Sequence, residues 1–302
     1  MSQNPAAKKS NNGSDFTPTI HNDTYPAINP TQFNLSNRAV FVTGASKGIG
    51  LAVSEAFAKA GASYIALGAR SSLEDSEKAV LAAAKEAGRQ PPKVLKLKVD
   101  VSDPKSVEAA AKDIEGQFGR LDILINNAGY LEPFVPLAES DPNEWSKTWD
   151  INIKGVYLVT RALMPLMLKT SGGLKTILNA SSVGAHGLRP GASAYQTSKL
   201  AVSRLSEFIG TEYGEQGVLS YSVHPGGVAT ELALGMPEYM HAVLNDTPRL
   251  SGDSICWFTA ERREWLQGRW VSVNWDAEEL VGMKGRIVEG DLLKVRLDVG
   301  LE

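Results

Sequence analysis

Tyr195 and Lys199 stand four positions apart in a segment, Ala194–Tyr213, whose apolar period is helical, so both side chains fall on one face. A phenol ionises near pH ~10, too high for efficient proton transfer at neutrality, and an ammonium held beside it stabilises phenolate and lowers that value. On its own such a pair is a common surface contact. A second pattern lies upstream, where Ala39-Val-Phe-Val-Thr-Gly44-Ala-Ser46-Lys47-Gly48-Ile49-Gly50 reads as a strand entering a glycine-rich turn that opens a helix. Gly44 permits the tight turn, Gly48 and Gly50 let backbone approach a pyrophosphate, and the helix N-terminus offers free N–H groups, which together make a dinucleotide site. An acid at the end of the next strand would hold a ribose 2′-hydroxyl and repel a 2′-phosphate, but the chain there reads Ala66-Leu-Gly-Ala-Arg70-Ser71-Ser72. Arg70 and Lys47 could both reach a 2′-phosphate, which favours NADP(H) over NAD(H) unless the two are ordinary solvated charges.

The elements that must position these residues follow from residue 38 onward, where short β-branched runs alternate with longer helical segments, the signature of βαβ units around a parallel sheet. The predicted strands are Ala39–Thr43, Ser63–Leu67, Lys93–Val99, Ile123–Asn126, Thr176–Ala180, Leu219–His224 and Trp270–Asn274. Between them Gly50–Lys59 and Ser106–Phe118 each gather apolar residues on one face, as helices covering a sheet do. The expectation is an α/β fold: a single Rossmann-type, doubly wound domain over residues 35–302 with a seven-stranded parallel sheet. Residues 1–34, rich in Asn, Ser, Thr and Pro, read as a disordered tail, and the departure from alternation after Pro225 reads as a lid, Glu231–Leu250, spanning about 230–255.

The glycine spacing, three residues and then one, resembles the single-domain branch of the short-chain dehydrogenase/reductase family, and further motifs match it in order over roughly residues 38–275. The resemblance implies adenine contact at Asp100-Val101, a sheet-stabilising motif beside the cofactor at Asn126-Asn-Ala128-Gly129, and a nicotinamide cradle at Pro225-Gly226-Gly-Val228-Ala-Thr230. It implies a catalytic tetrad of Asn152, Ser182, Tyr195 and Lys199, with Tyr195 the acid or base and Lys199 also holding the nicotinamide ribose. Ser181 competes with Ser182, which stands thirteen residues before Tyr195; neighbours on a strand face opposite sides, so one of the two is excluded. The implied reaction is reversible hydride transfer between the nicotinamide and a ketone or secondary alcohol, that of a carbonyl reductase. The alternatives are an NAD-dependent alcohol dehydrogenase working oxidatively and a cofactor-binding protein without turnover, which the filled tetrad disfavours.

Residues following the motifs are the candidates for the substrate: Tyr130, Leu131 and Phe134, then His186 and Leu188, then Leu232, Met236, Tyr239 and Met240 of the lid. Their apolar character suits a bulky hydrophobic ketone, lipid-like or from secondary metabolism, although the same residues could pack a core or a subunit contact. The tail Ala277–Glu302 could cover the active site or dock on another subunit, and homodimers or homotetramers through Asn143–Lys169 and Ala194–Tyr213 are expected from the family. With 302 residues, a net charge of −3 and no clustered Lys and Arg, the partner is a small molecule rather than nucleic acid or an acidic membrane surface. Ile153–Leu168, broken by Lys154, Arg161 and Pro165, reads as a core helix and not a membrane span. A lone Cys256 without a His/Cys cluster excludes an internal disulfide and a structural metal site, and fits a reducing, cytoplasmic setting; the triplet Asn179-Ala-Ser181 sits at a strand end and reads as chance rather than glycosylation.

Overall fold

The computed structural model describes residues 12–297. Seven parallel strands form one sheet in the order β3-β2-β1-β4-β5-β6-β7: β1 Ala39–Thr43, β2 Tyr64–Ala69, β3 Lys93–Lys98, β4 Ile123–Asn126, β5 Thr176–Ala180, β6 Leu219–His224 and β7 Trp270–Ser272. The central strands are near-continuous apolar runs because helices cover both faces. On one face lie α1 (Gly48–Lys59), α2 (Glu74–Glu86) and α7 (Pro248–Ala260), packed through Val53, Phe57, Val80, Ile255 and Phe258. On the other lie α3 (Pro104–Phe118), α5 (Gly155–Lys169) and α6 (Ser193–Tyr213), packed through Ile114, Val159, Leu163 and Ile209. Strand order reverses between β1 and β4, so a crevice opens at their carboxyl ends, the place where such sheets take ligands.

Four expectations change. The predicted helix over 143–169 divides into α4 (Pro142–Trp149), a π-helical turn at Asp150–Lys154, and α5. By length and composition the whole run, Pro142–Lys169, could cross a membrane, yet Val156, Val159, Leu163, Leu166 and Met167 are buried against the sheet. The lid is shorter than predicted: 231–247 carries only two short 3-10 turns, whereas Thr247 caps α7 through the Leu250 N–H and Pro248 opens it, so 248–255 is core helix.

The amino-terminal segment is also no tail over 12–34. Ile20 pairs antiparallel with Trp275, the His21 N–H donates to the Asn274 carbonyl at 2.8 Å, and Ile28 is buried; residues 1–11 lie outside the described residues. Polar composition misled here because the few apolar residues, Phe16, Tyr25, Ile28 and Phe33, each find core partners distant in sequence. At the other terminus α8 (Ala277–Gly282), α9 (Lys284–Glu289) and residues 290–297 beyond them fold onto β7 and α6 of the same chain, with the Trp270 N–H donating to the Leu293 carbonyl and Arg204 to the Val295 carbonyl. Both segments cover the β7 edge, whereas the β3 edge is guarded by Lys93, Lys96 and Lys98 pointing outward.

Candidate active site

The glycine turn is built by β1 and β4 together. Gly44 adopts φ +68°, and a Cβ on Gly50 would lie 2.2 Å from the Gly44 carbonyl oxygen, so the turn can close only on glycine. Thr43 Oγ1 accepts from the Asn127 and Ala128 N–H groups at 3.0 and 3.1 Å, and the Asn127 amide donates back to the Thr43 carbonyl at 3.0 Å. Asn126, read from the motif as a cofactor contact, turns instead into the sheet: it is buried and its amide donates to Asn179 at 2.8 Å and Thr160 at 3.1 Å. The reason is strand alternation, which sends neighbouring side chains to opposite faces. Asn127, which sequence reasoning passed over, is the residue that shapes the turn.

The first turn of α1 carries no acid, and its N-cap, Lys47, makes no capping hydrogen bond, which leaves the Gly48, Ile49 and Gly50 N–H groups available to an anion beside Ser46. Lys47 itself is ion-paired with Glu231, the first lid residue. Arg70 directly follows β2, is 66% exposed and faces Asp100 at 3.9 Å. Burial raises the pKa of Asp100, but hydrogen bonds from the Ser102 hydroxyl and N–H, helped by Arg70, outweigh it and hold the carboxyl below its ordinary value. Lys47 and Arg70 are both two-thirds exposed, and each faces one acid. Val101 is buried against Gly155 at the start of α5, behind the crevice.

Across the crevice, β5 and α6 supply the remaining groups. Lys199 is 4% exposed, donates to the Ala180 carbonyl at 2.7 Å, and lies 5.5 Å from the centre of the Tyr195 ring. Burial pulls its pKa down to about 8. The Tyr195 phenol is pushed up by burial, with the Glu132 carboxylate adding to the rise and a hydrogen bond with Ser182 opposing it. This reverses the expected lowering by Lys199, because desolvation dominates and the ammonium is directed at the Ala180 carbonyl. Ser181 is buried, bonded to the Lys199 carbonyl at 2.9 Å, so Ser182 is the serine beside the phenol.

Asn152 sits within the π-helical turn, where its side chain accepts from the Tyr130 N–H at 2.8 Å and donates to the Tyr130 carbonyl at 2.9 Å and to Ser198 Oγ at 3.0 Å. A Cβ at Gly129 would fall 3.5 Å from Asn152 Oδ1 and 3.7 Å from both Lys199 Nζ and Leu232, so the lid, the tetrad and β4 meet at this glycine. Thr230 lies over Gly48, which brings the turn after β6 against the glycine loop. That turn is fixed by Asp246: its carboxylate accepts from the Gly227 N–H at 2.5 Å and from the amides of Asn274 at 2.8 Å and Asn22 at 2.6 Å. Pro225 accepts from Ser251, Gly226 adopts φ +92°, and Val228 bridges Asp246, closing the lid at its neck.

The proposed substrate residues are not all brought together. His186 is exposed and packs edge-on against Trp270 at 4.9 Å, Leu188 is 99% exposed, and Tyr239 is 76% exposed. Leu232 and Leu131 do line the crevice side of the lid, near Gly129 and Gly235, while the Met236 carbonyl is bonded to His241 and Phe134 packs on Gly191. Besides Asn127, two positions at the site escaped sequence reasoning: Asp246 carries no local signal, and Glu132 shows itself only as a single acid among Tyr130, Leu131, Pro133 and Phe134.

Residues 38–238 match the family model described as short chain dehydrogenase. The chain is 58% identical over 277 residues to the short chain dehydrogenase citE of Monascus ruber, covering 92% of this chain and 94% of that one. Among solved structures, levodione reductase superposes with a TM-score of 0.71 at 26% identity, over 80% of this chain and 97% of that one. A Shigella flexneri short chain dehydrogenase complexed with NADP gives 0.67 at 26% identity, over 80% and 98%. With this sheet order, this crevice and these matches, the chain belongs to the short-chain dehydrogenase/reductase family of oxidoreductases, which work on small molecules with a nicotinamide cofactor.

Proposed function

We propose that this protein is an NADP(H)-dependent carbonyl reductase acting on a hydrophobic ketone, cytoplasmic and homo-oligomeric. The observation that carries the reading is that Asn152 and Lys199 meet at Gly129 while Tyr195 bonds Ser182 and lies beside Lys199, opposite a glycine turn that only a Cβ-free loop can close. The residues fit the cofactor: uncapped N–H groups at the start of α1 suit a pyrophosphate, and Arg70 with Lys47 suits a 2′-phosphate where no acid ends β2. The NADP complex of the Shigella flexneri relative supports that choice. When bound, the cofactor supplies hydride to the carbonyl carbon.

The chain's own groups supply the proton. A phenol held above its ordinary value stays protonated at neutrality and can give its proton to the developing alkoxide, while Ser182 orients that oxygen. Lys199, at about 8, is cationic at neutral pH and lies 5.5 Å from the centre of the ring that is left as phenolate. Asn152 fixes the Tyr130 backbone and Ser198 on either side of the site. An oxidative dehydrogenase would need the phenolate first, which the raised phenol disfavours.

The apolar substrate class is supported by the exposed lid residues Leu232, Leu234, Tyr239 and Val243 beside the crevice, assembly by exposed Tyr157 on α5 and Phe208 on α6, and a reducing compartment by the buried free thiol of Cys256. The test is consumption of NADPH against NADH over a panel of ketones, quinones and aldehydes. Tyr195→Phe should abolish turnover, by about 1,000-fold or more, and retain NADPH binding; undiminished turnover in that variant overturns the assignment.

A further inference from the structure

Helix α6, which carries Tyr195 and Lys199, begins without a cap of its own: its N-cap is Ala192, with no side-chain acceptor, and its first turn holds no acid. Its leading N–H groups need acceptors from elsewhere. One comes from the loop after β4, where Glu132, 5% exposed, accepts the Tyr195 N–H at 2.9 Å through Oε1 and the Thr148 hydroxyl at 3.2 Å through Oε2. The contact falls on the backbone of the tyrosine itself, the third residue of the helix. A carboxylate at a helix N-terminus is also where the helix dipole favours negative charge. We infer that Glu132 is a positioning residue for the proton-transfer step, a distant cap that sets the height of Tyr195 in the site and ties the substrate-side loop to the helix bearing the acid. The inference rests on Tyr195 being the proton donor.

Charge is the second part of this role. Burial is the main reason the phenol is raised, and the Glu132 carboxylate adds to that rise while the Ser182 hydrogen bond opposes it. The other charged and titratable groups around it are accounted for. Glu144 and Lys147 on α4 pair at 3.2 Å, and Tyr130 bonds Glu144. Glu139 and Asp141 rim an outer cavity of about 180 Å³ that Glu132 also lines, and Lys199 lies 5.5 Å from the ring centre. Among the described residues Glu132 is the acid that hydrogen-bonds Tyr195.

Two substitutions separate geometry from charge. In Glu132→Gln the amide oxygen can accept the Tyr195 N–H while its NH₂ donates to Thr148, whose own proton goes to the Glu144 carbonyl at 3.1 Å. That variant should keep kcat within about threefold and move the phenol's titration, read by ultraviolet difference against Tyr195→Phe, to lower pH. Glu132→Ala removes the cap and should lower kcat about ten- to a hundredfold with the KM for NADPH unchanged, a cost typical of a small misplacement of a reacting group. An unmoved titration in Glu132→Gln, or an unchanged kcat in a folded Glu132→Ala, overturns the inference. Because the titration needs no substrate, it stands even if the wild-type protein turns over no carbonyl, the result that would sink the functional reading instead.

Discussion

Lys199 is the residue whose ionisation should govern the alkaline behaviour of the reaction. Its value of about 8 reflects burial, so the ammonium is lost as pH rises through that point, well before the raised phenol ionises. The rate of carbonyl reduction should therefore be level below pH 8 and fall about tenfold per unit above it, measured as kcat at saturating NADPH. A limb placed above pH 10 instead would assign the loss to the phenol. At this scale the tetrad was legible because Ser182, Tyr195 and Lys199 lie in motifs whose spacing survives as geometry. What spacing could not convey was orientation and field: Asn126 faces inward and Asn127 the glycine turn, and burial rather than Lys199 dominates the phenol.

Among the elements, the lid and its neck decide access. Asp246 gathers the Gly227 N–H, Asn274 and Asn22 on one largely buried carboxylate, and with Val228 it closes the base of the 231–247 segment. Asp246→Ala removes the acceptor of three part-buried hydrogen bonds, each worth about 1 kcal/mol net, and releases the turn at Gly226. The expected outcome is a lower melting temperature together with a KM for the ketone raised about tenfold or more, read from thermal unfolding and initial rates. Unchanged kinetics would mean that the neck does not shape the site. The strands and α1, α3 and α6 could be placed from periodicity to within two residues; the break at Asp150–Lys154 could not, since a π-helical turn inserts a residue into the ladder without altering the apolar pattern.

For the whole molecule, acid stability should depend on His224, which lies parallel to the Trp270 ring and whose buried Nδ1 has no hydrogen-bond partner among the described residues. Burial depresses its pKa to about 4 from an ordinary 6.5, with Asp246 opposing. Between those values the unfolded chain binds a proton that the native one does not, so stability rises with pH across the window and is lost as pH falls from 6.5 towards 4. Urea midpoints at pH 7 and 4.5 should differ less in His224→Phe, which keeps the stacked ring; an identical difference would remove His224 as the cause. The packing of the amino-terminal segment was illegible because its partners are remote: Thr19 bonds Glu279 and Asn22 bonds Asp246, 260 and 224 positions away. That distance orders events on the ribosome. Thr19 leaves the ribosome 260 residues before Glu279, roughly 10 to 50 s earlier at ordinary elongation rates. The glycine turn of β1 can form early, but the neck at Asp246 stays unlatched until the last strand is made, so an incomplete nascent chain cannot hold a finished site.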